Sequence, residues 1–221
     1  MHIEAVLFDL DGTLVDSAPD LGAAADQMRI RRGLPSLPYA SYRTVASSGA
    51  RGLLGVAFGM APDHADYADY CREFLANYEQ RLLQETRTFA GVAALLQALV
   101  QQGLQWGIVT NKAARFAEPI ARGLADLQGA GVVISGDTLA HAKPHPAPLL
   151  EAAHRMGVAP ERCLYVGDDL RDMQAARAAH MPGMAALWGY LGGAPVEEWN
   201  ADALAQQPHD VLVWLEQRGR A

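Results

Sequence analysis

The sequence predicts an α/β protein, a doubly wound parallel sheet with helices on both faces and a helical block inserted after the first strand. Three observations carry this. Residues 3–9 are a short apolar run that ends on Asp9 and is followed by Asp11-Gly12-Thr13, which reads as one buried strand. Residues 15–87 place their small and apolar residues only at helical spacing. From Phe89 onward, strand-length apolar runs alternate with helix-length amphipathic segments. That alternation implies right-handed βαβ crossovers and a parallel sheet.

The inserted block opens at Asp16-Ser17-Ala18-Pro19, with Asp16 or Ser17 as helix cap and Pro19 in the first turn. Helical spacing runs through 21–28 and again through 70–83. Gly33-Leu34-Pro35 with Pro38, and Ala61-Pro62-Asp63, divide the block into about four helices, with no strand expected between 15 and 87. Beyond it come a helix over 92–102 ended by Gly103, a strand over 106–110, and a helix over 113–124 that runs through Pro119. A strand over 131–135 leads to a helix over 146–156, with Pro146 in its first turn and Gly157 after its end. A strand over 163–166, a helix over 170–180 and a short strand over 183–187 follow. A sixth strand over 201–205 and a last helix over 209–218 complete the chain. The strands are continuous apolar runs, as strands buried on both faces should be.

The 221 residues, 50% of them hydrophobic, suffice for one large domain carrying an insertion. The expected division is a core of 1–14 and 88–221 and a helical block of 15–87. Net charge is −7 and no basic run occurs, so neither nucleic acid nor an anionic membrane surface is an expected partner. No segment approaches the length of a membrane span, and Asp9 interrupts the first apolar run where a leader would continue. Cys71 and Cys163 sit in apolar surroundings and read as buried free thiols of a reducing compartment. The expectation is a soluble cytoplasmic protein, monomer or homodimer, whose partner is a small molecule.

In an open parallel sheet, ligands bind beyond the carboxyl ends of the strands. There the chain places Asp9 and Asp11 after the first strand and Thr110-Asn111 after the second. Ser135-Gly136-Asp137 and then Lys143 follow the third, and Asp168-Asp169, with Asp172 a turn later, follow the fourth. Buried like charges are costly unless neutralised. Carboxylates without a histidine or cysteine pattern favour a hard cation with oxygen ligands such as Mg²⁺, with Asp9 and Asp168 as natural direct ligands. One of the two acids after the first strand can attack phosphorus. The other can protonate the leaving alkoxide and activate water. Lys143, Thr110 and backbone N–H groups would hold the phosphoryl oxygens. Taken singly, each residue has a plainer reading. Asp9 and Asp11 could be a satisfied turn, Asp169 and Asp172 helix caps, and Lys143 a solvated loop lysine. Their joint occurrence at one sheet edge argues against coincidence. His141 and His145 read as loop surface, and no G-x-G-x-x-G follows a strand.

Asp9-Leu10-Asp11-Gly12-Thr13, Thr110-Asn111, Lys143-Pro144 and Gly167-Asp168-Asp169-Leu170-Arg171-Asp172 resemble, in order, the four motifs of the haloacid dehalogenase-like superfamily. The resemblance covers the whole chain. It implies a Rossmann-like core with a small α-helical cap domain that excludes water and selects the substrate. It implies Asp9 as nucleophile and Mg²⁺ ligand, and Asp11 as general acid/base whose backbone carbonyl also ligates Mg²⁺. Asp168 would be the third ligand, with Asp169 and Asp172 in support, and Thr110, Asn111 and Lys143 would bind phosphate. An acid at position 11 favours phosphoryl transfer over dehalogenation, and the absence of lysine from 15–87 disfavours a phosphonatase.

Within the superfamily the pattern is similar to phosphoglycolate phosphatases. Closer still is the resemblance to N-acetylmuramic acid 6-phosphate phosphatases of that same subgroup, carried by Ser47-Ser48-Gly49-Ala50-Arg51, Trp106 to Lys112 with Arg115 to Pro119, Asp168-Asp169-Leu170-Arg171-Asp172, and Trp188-Gly189-Tyr190 with Trp199. Ala113 departs from the proline that relatives often carry there. Ser48, Gly49 and Arg51 are the candidates for substrate contact. The resemblance implies a Mg²⁺-dependent phosphatase of a small organic phosphate, with N-acetylmuramic acid 6-phosphate favoured and phosphoglycolate as the alternative. A β-phosphoglucomutase-like mutase and a non-catalytic binding module are the further alternatives.

Overall fold

A computed structural model describes residues 2–192 and 194–219. Its centre is β1 (Ala5–Phe8), whose residues are all fully buried. The parallel sheet has the order β5-β4-β1-β6-β7-β8. Here β4 is Gln105–Val109, β5 Val133–Ile134, β6 Cys163–Gly167, β7 Gly183–Ala186 and β8 Ala203–Ala205. β1 pairs on one side with β4 (Ala5 opposite Gln105) and on the other with β6 (Ala5 opposite Cys163).

Alternation along each strand divides the core into two layers. Val6 and Phe8, with Ile108, Leu164 and Val166, pack under α5 (Val92–Gln101), α6 (Ala114–Gly123) and α9 (His209–Gly219). Leu7, with Val109 and Tyr165, packs on the other face under α7 (Ala147–Met156) and α8 (Leu170–Ala178). Truncating a fully buried side chain such as Leu7 to Ala costs about 2–5 kcal/mol in such a site. The doubly wound α/β sheet expected from the alternation is what the chain forms, with Pro119 held inside α6.

Between β1 and α5 the chain forms four helices, α1 (Ala18–Arg31), α2 (Tyr39–Arg43), α3 (Gly49–Phe58) and α4 (Tyr67–Arg81). They share an apolar cluster of their own that includes Leu21, Met28, Tyr42, Leu54, Phe74 and Tyr78. The expectation of no strand in this stretch is corrected. Val15–Asp16 (β2) pairs antiparallel with Arg87–Thr88 (β3), so the segment entering the helices runs beside the one leaving them. The pairing joins residues over seventy positions apart, so strands this short leave no periodicity to read. Asp20 clamps the same junction. Its buried carboxylate accepts from the Glu85 amide at 3.0 Å, the Thr86 amide at 2.9 Å and Thr86 Oγ1 at 2.8 Å.

Ser17 takes the N-cap position of α1, with Pro19 in the first turn, but its hydroxyl makes no cap bond. It donates to Asp11 Oδ1 instead. Cys163 is buried as expected, whereas Cys71 is only half-buried. No helix among the described residues is long and apolar enough to cross a membrane.

Candidate active site

Because β4, β1 and β6 are neighbours, Thr110, Asp9 and Asp168, each at or just past its strand's end, lie side by side. The Asp9 amide donates to Val166 O at 2.9 Å, continuing the ladder and fixing the direction of its carboxylate. Asp9 Oδ1 accepts from the Leu10 amide at 2.7 Å and faces Lys143 Nζ at 2.9 Å. Asp168 accepts from Thr13 Oγ1 and from the Tyr190 amide, each at 2.9 Å. Gly12, at φ +85°, lets the chain turn against Asp168: a Cβ there would sit 2.1 Å from its Oδ2.

Asp9, Asp168 and Asp172 each bring a carboxylate oxygen within 4.8 Å of the others. Burial, and then the charges of Asp9 and Asp172, push Asp168 well above the usual carboxylate range. Burial also raises Asp172, against the pull of Lys143. A site built of carboxylate oxygens alone, with no imidazole or thiolate, fits a hard divalent cation such as Mg²⁺. Asp172 has a second task. Asp169 is the N-cap of α8, accepting from the Arg171 amide at 2.9 Å, while Asp172 Oδ2 accepts from the Asp169 amide at 3.1 Å. Both acids therefore cap α8, and Asp172 also belongs to the three-carboxylate cluster.

Lys143 is 2% exposed and reaches four oxygens: Asp9 Oδ1 at 2.9 Å, Asp172 Oδ1 at 2.8 Å, Tyr165 Oη at 2.7 Å and Val109 O at 3.0 Å. Burial alone would lower its pKa, but Asp172 and Asp9 outweigh that and raise it, so it stays an ammonium. Asn111 lines the cavity at the sheet end, with its side chain engaged by the backbone. Its amide group is taken up by the Lys143 backbone, Nδ2 to O at 2.8 Å and Oδ1 from N at 2.9 Å. Its side chain positions the Lys143 loop. Thr110 Oγ1 accepts from the Lys112 amide at 3.1 Å.

Asp11 is bound by Lys112 Nζ at 3.0 and 3.1 Å and by the Ser17 hydroxyl. A cavity of about 310 Å³ opens between the sheet end and the helices. Asp9, Asp11, Thr110 and Lys143 line one side, and Leu21, Phe74 and Tyr78 the other. Ser48 and Gly49 line it as well, while Arg51 lies exposed on α3 outside the lining. His141 and His145 stack on each other at 4.3 Å in the exposed loop before α7 and do not line it.

Sequence reasoning quoted Lys112, Arg171 and Tyr190 within motifs but gave none of them a role. Arg171 Nη2 donates to Asp169 and to Ser47 O, tying the α8 cap to the helical block. The Tyr190 hydroxyl accepts from the Ser17 and Ala18 amides and donates to Asp16. One signal could have found Lys112. The chain has only two lysines, Lys112 and Lys143, against many arginines, and both are buried beside carboxylates of the site.

The comparisons with known proteins agree with this geometry. A family profile described as haloacid dehalogenase-like hydrolase matches residues 3–180. The chain is 52% identical over 205 residues to a phosphoglycolate phosphatase of Xanthomonas campestris, covering 92% of each. It is 39% identical over 215 residues to an N-acetylmuramic acid 6-phosphate phosphatase of Pseudomonas aeruginosa, covering 96% of this chain and 94% of the relative. The crystal structure of a predicted phosphoglycolate phosphatase from Haemophilus somnus superposes with a TM-score of 0.84 at 27% identity, over 97% of this chain and 98% of that one. With its sheet order, its cluster of strand-end acids and these relatives, the chain belongs to the haloacid dehalogenase-like hydrolase family.

Proposed function

We propose that the protein is a Mg²⁺-dependent phosphatase that cleaves a small organic phosphate monoester through a phosphoryl group carried on Asp9. The observation that supports this best is that Asp9 has both acidic and cationic neighbours. It clusters with the carboxylates of Asp168 and Asp172, and the Lys143 ammonium lies 2.9 Å from Asp9 and 2.8 Å from Asp172. Asp9, Asp168 and the Asp11 backbone carbonyl would hold Mg²⁺, which supplies charge neutralisation to the phosphoryl oxygens.

The residues then divide the work. An Asp9 carboxylate oxygen attacks phosphorus as the P–O bond to the organic group breaks, and Asp11 gives its proton to the departing alkoxide. In the second half Asp11 takes a proton from water, whose oxygen attacks the phosphorus of phospho-Asp9. Inorganic phosphate leaves and Asp9 is regenerated. Lys143 keeps Asp9 in line and, with Thr110, faces the phosphoryl oxygens. Residues 15–87 form the cap, hinged where β2 and β3 run side by side, and its closure excludes water.

Two substrate readings are supported. Relatives at 52% identity are named phosphoglycolate phosphatases. The cavity of about 310 Å³, walled on one side by Leu21, Phe74 and Tyr78, is larger than a glycolate group needs and favours a sugar-sized one such as N-acetylmuramic acid 6-phosphate. Phosphate release from a panel holding both compounds separates them. Asp9→Asn should lower turnover of p-nitrophenyl phosphate by more than about a thousandfold while the protein stays folded. Retained activity in the folded variant would sink the phospho-Asp9 route, and isomerisation of a sugar phosphate without net phosphate release would make the enzyme a mutase.

A further inference from the structure

Each charged group that lines the cavity makes an ion pair with another, with one exception. Lys143 serves Asp9 and Asp172, Lys112 serves Asp11, and Arg171 serves Asp169. Arg115 also lines the cavity, and among the described residues it is the one charged lining side chain with neither an ion pair nor a side-chain hydrogen bond. It stands in the first turn of α6, three residues after Lys112. Its guanidinium carbon is 4.4 Å from the centroid of the Phe116 ring, which is buried, so the planar cation rests on a fixed surface. The amino end of α6 is not the receptor, since the Ala114 amide already donates to Asp137 Oδ1 at 2.8 Å.

An exposed arginine at the mouth of a cavity whose other charged side chains are all engaged in ion pairs is suited to a planar, bidentate anion, and a carboxylate is the simplest. The phosphoryl group itself is provided for deeper in, by Lys143 and Thr110. We propose that Arg115 binds a second anionic group, a carboxylate, on the organic part of the substrate. The preferred substrates are then phosphomonoesters of carboxylic acids. This rests on the phosphatase reading above. It also accounts for a feature the two named relatives share. Glycolate and N-acetylmuramate are unlike in size, but each carries a carboxylate. The proposal concerns what they have in common, not which of them is turned over.

The test compares acid and neutral members of matched pairs on the full chain with Mg²⁺. Phosphoglycolate is set against ethyl phosphate, and N-acetylmuramic acid 6-phosphate against N-acetylglucosamine 6-phosphate, with p-nitrophenyl phosphate as the generic substrate. The wild type should prefer the acid member of at least one pair. Arg115→Gln should lower kcat/KM for that acid by about ten- to a hundredfold, chiefly through KM, as expected for loss of a charge-assisted contact. It should leave the neutral member and p-nitrophenyl phosphate within about twofold. Arg115→Lys should recover part of the loss. An equal loss on acid and neutral members, or no loss on either, would overturn the assignment while leaving the phosphatase reading intact. A wild type inactive on every substrate, the generic one included, would overturn the phosphatase reading and this inference with it.

Discussion

The Lys112 ammonium lies 3.0 and 3.1 Å from the two carboxylate oxygens of Asp11, with its side chain 7% exposed. Burial pushes the lysine toward neutrality, but Asp11 and then Tyr78 outweigh it and hold the pKa above the ordinary lysine range. A lysine raised in the folded state contributes stability throughout neutral pH, and that contribution is lost only as pH climbs through the raised value. Lys112→Met should therefore destabilise the protein by about 1–3 kcal/mol at neutral pH, because a part-buried carboxylate loses its cation. It should also lower kcat by tenfold or more if Asp11 is the acid/base, since general acid–base groups contribute about a hundredfold or more. Urea midpoints and kcat on p-nitrophenyl phosphate measure both. An unchanged kcat would detach Lys112 from the chemistry.

The three-carboxylate cluster predicts how metal and pH interact. In the metal-free protein Asp168 lies well above, and Asp172 is pushed up to about 6 from, the usual range, by burial first and then by neighbouring acids. Both folded values exceed the unfolded ones, so the folded state holds more protons. Its stability then falls as pH rises from about 4, the unfolded carboxylate value, through 6 and beyond. A divalent cation binds only the ionised form. The rise in Tm on adding Mg²⁺ should therefore be larger at about pH 8 than at about pH 5. A gain that does not change with pH would count against the cluster as the cation's site.

Gly12 combines a left-handed backbone with contact against a buried acid. Its φ is +85°, and a Cβ would meet Asp168 Oδ2 at 2.1 Å. Gly12→Ala should cost about 2 kcal/mol or more through strain and displacement of Asp168. Mg²⁺ affinity should weaken with it. Denaturant unfolding and calorimetric titration of Mg²⁺ test the two parts separately.

Tyr190 ties the loop after β7 to the start of the helical block. Its hydroxyl takes the Ser17 amide at 2.8 Å and the Ala18 amide at 3.0 Å, while its own amide reaches Asp168 at 2.9 Å. Tyr190→Phe keeps the ring and the amide but leaves two buried N–H groups without acceptors, at a cost of about 1–3 kcal/mol. The urea midpoint should drop accordingly. A change below about 0.3 kcal/mol would mean that water replaces the hydroxyl.

Much of the fold and the grouping of several candidate site residues were legible because they follow from local pattern. A run such as Ala5 to Phe8 has to be buried whatever surrounds it, and alternation with helix-length segments leaves a parallel sheet as the economical arrangement. Sheet topology then puts strand ends together, so the sequence alone groups Asp9, Thr110 and Asp168. The β2–β3 ribbon was not legible, because pairs of two residues carry no period and depend on a partner far along the chain. The side-chain contacts of Asn111 were not legible either. Its residue type suits phosphate, but the Lys143 backbone occupies both ends of its amide.

By itself, then, the sequence determined the doubly wound sheet, the helical block after its first strand and the acids at the sheet edge. All of these follow from hydrophobic period and residue type along short stretches. Only the tertiary structure decided that Lys112 sits on Asp11, that Asp172 is at once helix cap and member of the acid cluster, and that Arg115 alone lines the cavity without a counter-charge among the described residues. Those are facts of distance between side chains, in the first case 101 positions apart. Coulomb and hydrogen-bond energies vary over a few ångströms, a scale on which composition and spacing are silent.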